Sequence, residues 1–161
     1  MPTKYKGAVK NIRALNAFIN LMRSAESVMT RLQRRLDKDG VTAGQFGVLE
    51  TLLHLGPLCQ TMLGQKLLRT DGNVTMIVDN LEKRDLVRRL RIGEDRRFVS
   101  VNLTPRGKKL IGRIFPGHAA AIAEEMSVLS TREQEHLRRL CRKLGKKKEV
   151  KIKMSLKKEN K

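Results

Sequence analysis

The chain has 161 residues, 40 % of them hydrophobic, which suits one globular domain with a sizeable core. Lysine and arginine number 35 against 16 acidic residues, and the net charge of +19 favours a polyanionic partner, either nucleic acid or an anionic membrane surface. No apolar run approaches the roughly eighteen residues of a membrane span, and two cysteines cannot build a disulfide framework, so a reducing cytoplasm and no membrane partner are expected.

The charge is concentrated. Residues 82–113 hold eleven basic and four acidic side chains, and residues 146–161 hold eight lysines and two glutamates. Basic side chains interrupt every apolar stretch near residue 1, which excludes a signal peptide of the usual pattern there.

In chain order, a short basic lead is followed by Val9, Ile12, Leu15, Ile19, Met22, Ala25, Val28, Met29, Leu32 and Leu36. Their spacing predicts one long helix over about 8–38, whose apolar stripe needs a second long helix or another subunit along its length. Asp39-Gly40 stops it, since glycine readily takes the left-handed backbone that ends helices. Thr42-Ala43-Gly44-Gln45 is a capping box that opens a second helix, with Phe46, Leu49, Leu52 and Leu53 on its apolar face and Gly56-Pro57 at its end. A short helix from about Cys59 to Leu67 follows, with the small Gly64 available for close packing.

Beyond the turn 68–71, Val74, Ile77, Val78 and Leu81 recur at i, i+3, i+4 and i+7 and stack on one helix face. Asn73, Thr75, Met76, Asp79, Asn80 and Lys83 fall on the other face, which is polar and has no apparent partner in the sequence. Two strand-like runs, 86–91 and 97–103, then flank Ile92-Gly93-Glu94-Asp95-Arg96, with Val99, Val101 and Leu103 alternating against Ser100 and Asn102. Two short helices joined by a tight turn, with a basic hairpin after the second, match a winged helix-turn-helix that reads double-stranded DNA.

Thr104 and Pro105 are suited to cap and open the next helix, which carries Leu110, Ile111, Ile114 and Phe115. Pro116-Gly117 predicts a kink or break before 119–126 continue. Ser130-Thr131-Arg132-Glu133 is a second capping box, opening a helix expected to bury Leu137, Leu140, Cys141 and Leu144. The remaining lysine-rich tail alternates Val150, Ile152, Met154 and Leu156 with polar residues; non-specific DNA contact, an added strand at a dimer interface and no role at all are its three readings.

Val74-Thr75, Leu81-Glu82-Lys83-Arg84-Asp85-Leu86-Val87-Arg88-Arg89, Asp95-Arg96-Arg97 and Leu103-Thr104-Pro105-Arg106-Gly107, in this order and spacing, resemble the multiple antibiotic resistance regulator (MarR) family of transcription factors. The resemblance runs over about residues 9–144. It implies a mainly α fold with a small β-hairpin wing: a DNA-reading lobe over about 42–103 and dimerisation helices over about 8–38 and 104–145 that interlock across a two-fold axis; the basic tail from 146 to 161 is not part of the family pattern. It further implies a homodimer on an inverted repeat, acting as a repressor whose affinity falls when a small-molecule effector binds.

Within the reading helix, Gly72, Asn73, Thr75, Met76 and Asn80 are the candidates for base-edge contact; Asn and Thr donate and accept, and Met offers apolar contact to a thymine methyl. The bland reading is a solvated polar face. In the wing, Arg91, Asp95, Arg96 and Arg97 are the candidates, with the resemblance assigning minor-groove contact to Arg97 and its orientation to Asp95; an ordinary surface ion pair is the alternative.

Two positions depart from the family pattern. Asp85 stands for the glycine usual at the helix exit, and aspartate also tolerates a left-handed backbone. Cys59 stands for a threonine that often caps the preceding helix; a cysteine at a helix amino terminus is a candidate redox thiol, and more commonly a small packing residue. His54, His118 and His136 lack zinc-ligand spacing, and no nucleophile signature or phosphate-cradling glycine loop is present, so no enzyme, metal or cofactor is expected. The rival functions are a DNA-coating protein that binds by charge alone and a thiol redox sensor acting through Cys59.

Overall fold

The computed structural model describes residues 3–67, 70–91 and 99–146. Among the described residues, six helices and three short strands follow in the order α1 (Val9–Asp37), α2 (Ala43–Leu55), β1 (Leu58–Cys59), α3 (Gln60–Leu67), α4 (Asp71–Lys83), β2 (Val87–Arg91), β3 (Val99–Leu103), α5 (Pro105–Met126) and α6 (Thr131–Gly145). The chain divides into two compact units, Met1–Glu125 and Met126–Lys161.

In the first unit the core gathers where α2, α3, α4, the sheet and α5 converge. Phe46, Val48, Leu49 and Leu52 from α2 meet Leu63 of α3, Val74, Ile77, Val78 and Leu81 of α4, Val87 and Val101 of the sheet, and Ile111 and Ile114 of α5. The 3.6-residue period is why each helix supplies one such stripe. Burying these side chains is the main favourable term for this unit, at about 25 cal/mol per Å² of apolar surface removed from water.

Several expected stops and starts are present. Gly40 ends α1 at φ +67°, and Gly56 ends α2 at φ +75°. The Thr42 hydroxyl accepts from the Gln45 amide while the Gln45 side chain accepts from the Thr42 N–H, closing the first capping box. Thr104 Oγ1 accepts from Gly107 N at 3.0 Å and donates to the Asp85 carbonyl at 2.7 Å, so it both caps α5 and ties that helix to the exit of α4. Arg31 pairs with Glu125 and Arg35 with Glu124, each at 2.6 Å, joining the end of α1 to the end of α5.

The structure corrects three expectations. The stretch from Cys59 to Leu67 is not all helix: Leu58 and Cys59 form β1, paired with Val101 and Ser100, so the sheet has three strands in the order β1-β3-β2. A two-residue strand has no period to detect, and only its partner defines it. β3 is therefore central, and Ser100 is buried rather than turned to solvent; its hydroxyl accepts from Asn102 Nδ2 at 2.8 Å. α5 runs unbroken through Pro116, with Ile111 and Ile114 before it and Ala121 after it buried on one side. The proline removes one backbone hydrogen bond, and packing on either side holds the helix together.

The second unit contains α6. Its capping box forms, with Ser130 Oγ accepting from Glu133 N and the Glu133 carboxylate accepting from Ser130 N. Yet α6 buries no residue: Leu137, Leu140, Cys141 and Leu144 are exposed. Likewise only Leu32 and Leu36 of α1 are buried, while Val9, Leu15, Phe18, Met22 and Met29 are exposed. Phe18 lies outside the stripe read from the sequence.

Candidate nucleic-acid interface

α4 is held from below. Val74, Val78 and Leu81 are fully buried and Ile77 nearly so, which fixes the rotation of the helix about its axis. The opposite face then follows from the 100° step per residue: Gly72, Thr75, Met76 and Asn80 are exposed and Asn73 is half-buried. Five candidate residues thus share one side of a braced helix, as the sequence predicted.

The exit of α4 is equally constrained. Asp85 takes φ +54°, the left-handed backbone expected there, and lets the chain reverse into β2. Arg84 Nη1 donates to the Gly40 carbonyl at 2.8 Å, tying the turn to the α1–α2 connection. Gly107 lies against the Leu86 carbonyl so closely that a Cβ there would sit 1.9 Å from that oxygen.

β2 and β3 pair antiparallel from Val87 opposite Leu103 to Arg91 opposite Val99, as the two strands of a hairpin. Arg88 and Arg91 are exposed on it. Asp95, Arg96 and Arg97, the other wing candidates, lie outside the described residues, as does the tail beyond Lys146.

A polar cluster that sequence reasoning missed joins this hairpin to α4. Arg89 donates from Nη2 to Asp79 at 2.5 Å, from Nη1 to Glu82 at 2.5 Å and from Nε to Gln60 Oε1 at 2.9 Å, while its backbone N–H donates to Glu82 at 2.8 Å. Gln60 Nε2 in turn donates to Thr75 Oγ1 at 2.9 Å. The polar face of α4 therefore does have partners. Burial opposes the charge on Arg89, but the hydrogen bonds to Asp79 and Glu82 outweigh it and hold its pKa above the ordinary arginine value. The signal available in the sequence was the i, i+3 pair of carboxylates on a helix followed directly by an arginine-bearing strand.

Other candidates do not assemble into a reactive site. Cys59 is half-buried in β1. His118 stacks on Phe46 with ring centroids 4.2 Å apart, and His54 meets the edge of Phe115 at 4.8 Å. Among the described residues no group of three or more His, Cys, Asp or Glu side chains could hold a metal, and no helix is long and apolar enough to cross a membrane.

Residues 41–99, from the α1–α2 connection to the start of β3, match the model of the MarR family. The chain is 35 % identical over 133 residues to the HTH-type transcriptional regulator MhqR of Bacillus subtilis, covering 83 % of this chain and 92 % of that protein. Among solved structures it is similar to NadR in complex with 4-hydroxyphenylacetate, with 28 % identity, a TM-score of 0.68 and coverage of 92 % of this chain and all of that one. It shares its fold with Sco3205 of Streptomyces coelicolor, a MarR-family regulator solved in complex with DNA, at 23 % identity and a TM-score of 0.78 over 88 % of this chain and 90 % of that one. A braced reading helix, a basic hairpin beside it and this span of similarity together lead to one conclusion: the chain belongs to the MarR family of winged helix-turn-helix, DNA-binding transcriptional regulators.

Proposed function

We propose that the protein is a homodimeric, sequence-specific repressor working on DNA in the cytoplasm, and that a small-molecule effector lowers its affinity. The observation that carries this reading is the face of α4: Gly72, Thr75, Met76 and Asn80 exposed with Asn73 beside them, over a fully packed opposite side. A helix read against base edges must be held in rotation and depth, and this packing holds α4 so. The wing, through Arg91 and the tip residues Asp95, Arg96 and Arg97, supplies minor-groove and backbone contact.

Dimerisation is supported by the exposed apolar faces of the two terminal helices. Phe18 and Met22 on α1 and Leu140 and Leu144 on α6 are each more than half exposed, and apolar side chains so placed along helices mark association surfaces. Two reading helices about 34 Å apart then meet successive major grooves of an inverted repeat. With this division, residues 42–103 form the reading lobe, 8–38 and 104–145 the dimerisation helices, and the tail from 146 adds charge.

For the effector, the bound 4-hydroxyphenylacetate of NadR supports a small aromatic acid. A cleft of about 220 Å³ at the exit of α4 offers a chemical match, with Leu86 and Leu110 beside Arg84, Arg106, Lys109 and Arg113. An anion there would bridge the end of the reading helix and α5, favouring whichever spacing of the two heads it binds better.

Selection of bound sequences from random duplexes, followed by competition in a gel-shift titration, tests the central reading. The expected result is a palindromic site that unrelated duplex fails to displace. Equal displacement by unrelated duplex would mean binding by charge alone, since salt dependence is common to both modes.

A further inference from the structure

Resting on that reading of α4 as the DNA-facing helix, we infer that Arg89 is a positioning residue for base recognition: it locks the wing strand to the reading helix and, through Gln60, sets the side chain of Thr75. The guanidinium is oriented inward. Its Nε, Nη1 and Nη2 are each engaged, by Gln60, Glu82 and Asp79 in turn, and its side chain is only 24 % exposed. Arg89 therefore does not reach for phosphate as Arg88 and Arg91, exposed on the same strand, are free to do.

Two consequences follow from the chemistry of the fork. First, Asp79 and Glu82 are partly exposed on the side of α4 that carries Thr75, with side-chain exposures of 47 % and 37 %. Unpaired, these carboxylates would repel the phosphates on either side of the groove; turned back onto Arg89, they face the wing. Second, a guanidinium Nε can only donate, so the oxygen of the Gln60 amide must face it and the amide NH2 must face Thr75. The orientation of Gln60 is thus dictated by Arg89, and a hydrogen bond from Gln60 restricts the rotamer of Thr75. One arginine on β2 thereby joins the start of α3, three positions of α4 and the wing into a single rigid unit. Lysine could not substitute, because one ammonium on a flexible stem does not span three acceptors in a plane.

The test uses the full-length protein and the duplex selected above. Arg89→Lys and Arg89→Gln are each expected to lose roughly tenfold in specific affinity, the scale of one recognition contact. The slope of log affinity against log salt should stay at the wild-type value, because no phosphate contact is removed. Gln60→Leu, which changes no charge, is expected to relax preference at the base pair beneath Thr75. Its effect should not add to that of Thr75→Val in a double-mutant cycle.

Wild-type affinity in Arg89→Lys would show that charge alone suffices and overturn the inference. A salt slope lower by about 1 would do the same by revealing a phosphate contact. If the Arg89 variants fail to fold by circular dichroism, the Gln60 cycle decides, and unchanged base preference in Gln60→Leu refutes the relay. A wild type that binds unrelated duplex as tightly as its selected site removes the repressor reading and the inference with it, whereas a discriminating wild type with indifferent variants removes only the inference.

Discussion

Gly107→Ala perturbs the joint between the reading helix and α5. A Cβ at this position would lie 1.9 Å from the Leu86 carbonyl oxygen, 2.8 Å from its carbon and 3.2 Å from its Cα, all backbone atoms that cannot rotate aside. Overpacking a tight site costs about 1–3 kcal/mol and sometimes more. The separation needed would also strain two hydrogen bonds across the joint, Thr104 N to the Leu86 carbonyl at 3.2 Å and Thr104 Oγ1 to the Asp85 carbonyl at 2.7 Å, each with a net contribution of about 1 kcal/mol. Against this, alanine is favoured over glycine inside a helix by about 1 kcal/mol. The balance is a destabilisation of about 2–4 kcal/mol.

Gly112→Ala supplies the control on the same helix, since nothing lies within 4 Å of its Cβ, and should stabilise by up to about 1 kcal/mol. The assay is urea unfolding followed by circular dichroism, with all proteins at one concentration so that association does not shift the midpoints. Gly107→Ala as stable as Gly112→Ala would refute the close approach of α5 to the Leu86 carbonyl.

If the proposed dimer buries Phe18 and Leu140, Phe18→Glu combined with Leu140→Glu should halve the mass measured by sedimentation and abolish specific binding, because charges placed on an apolar interface disfavour association; an unchanged mass would exclude these faces from the interface. His118 gives a pH prediction. Burial, opposed by Glu50, lowers its pKa below the unfolded value, so its neutral form is the one that fits beside Phe46. Its contribution is complete above about pH 6.5 and is lost as pH falls below that value toward the folded pKa. His118→Phe keeps an aromatic ring and should lose less stability than wild type between pH 7.5 and 5; parallel losses in both would remove His118 from the acid response.

Much of this protein was legible from periodicity and local chemistry. The stripe Val74, Ile77, Val78 and Leu81, the capping boxes at Thr42 and Ser130, the glycine stop at Gly40 and the left-handed Asp85 all rest on interactions within one helix or turn, and such interactions are encoded by residue type and spacing. The family motifs added order and distance along the chain. They point to Gly72, Asn73, Thr75, Met76 and Asn80 as the face proposed to read DNA, and four of these are exposed.

What only the tertiary structure decided depends on partners far apart in sequence. β1 exists because Val101 and Ser100 pair with Leu58 and Cys59, and that pairing is what buries Ser100. α5 continues through Pro116 because residues on both sides of it are packed, a condition no local rule contains. Leu137, Leu140 and Leu144 have the spacing of a buried face, yet spacing specifies that a face is apolar and not what covers it. Arg89 is the clearest instance. In the sequence it is one of six arginines from 84 to 97, and only the fold brings it against Gln60, Asp79 and Glu82. Charge supplies attraction at any distance, whereas assigning an arginine to brace or to bind requires the acceptors its fork meets.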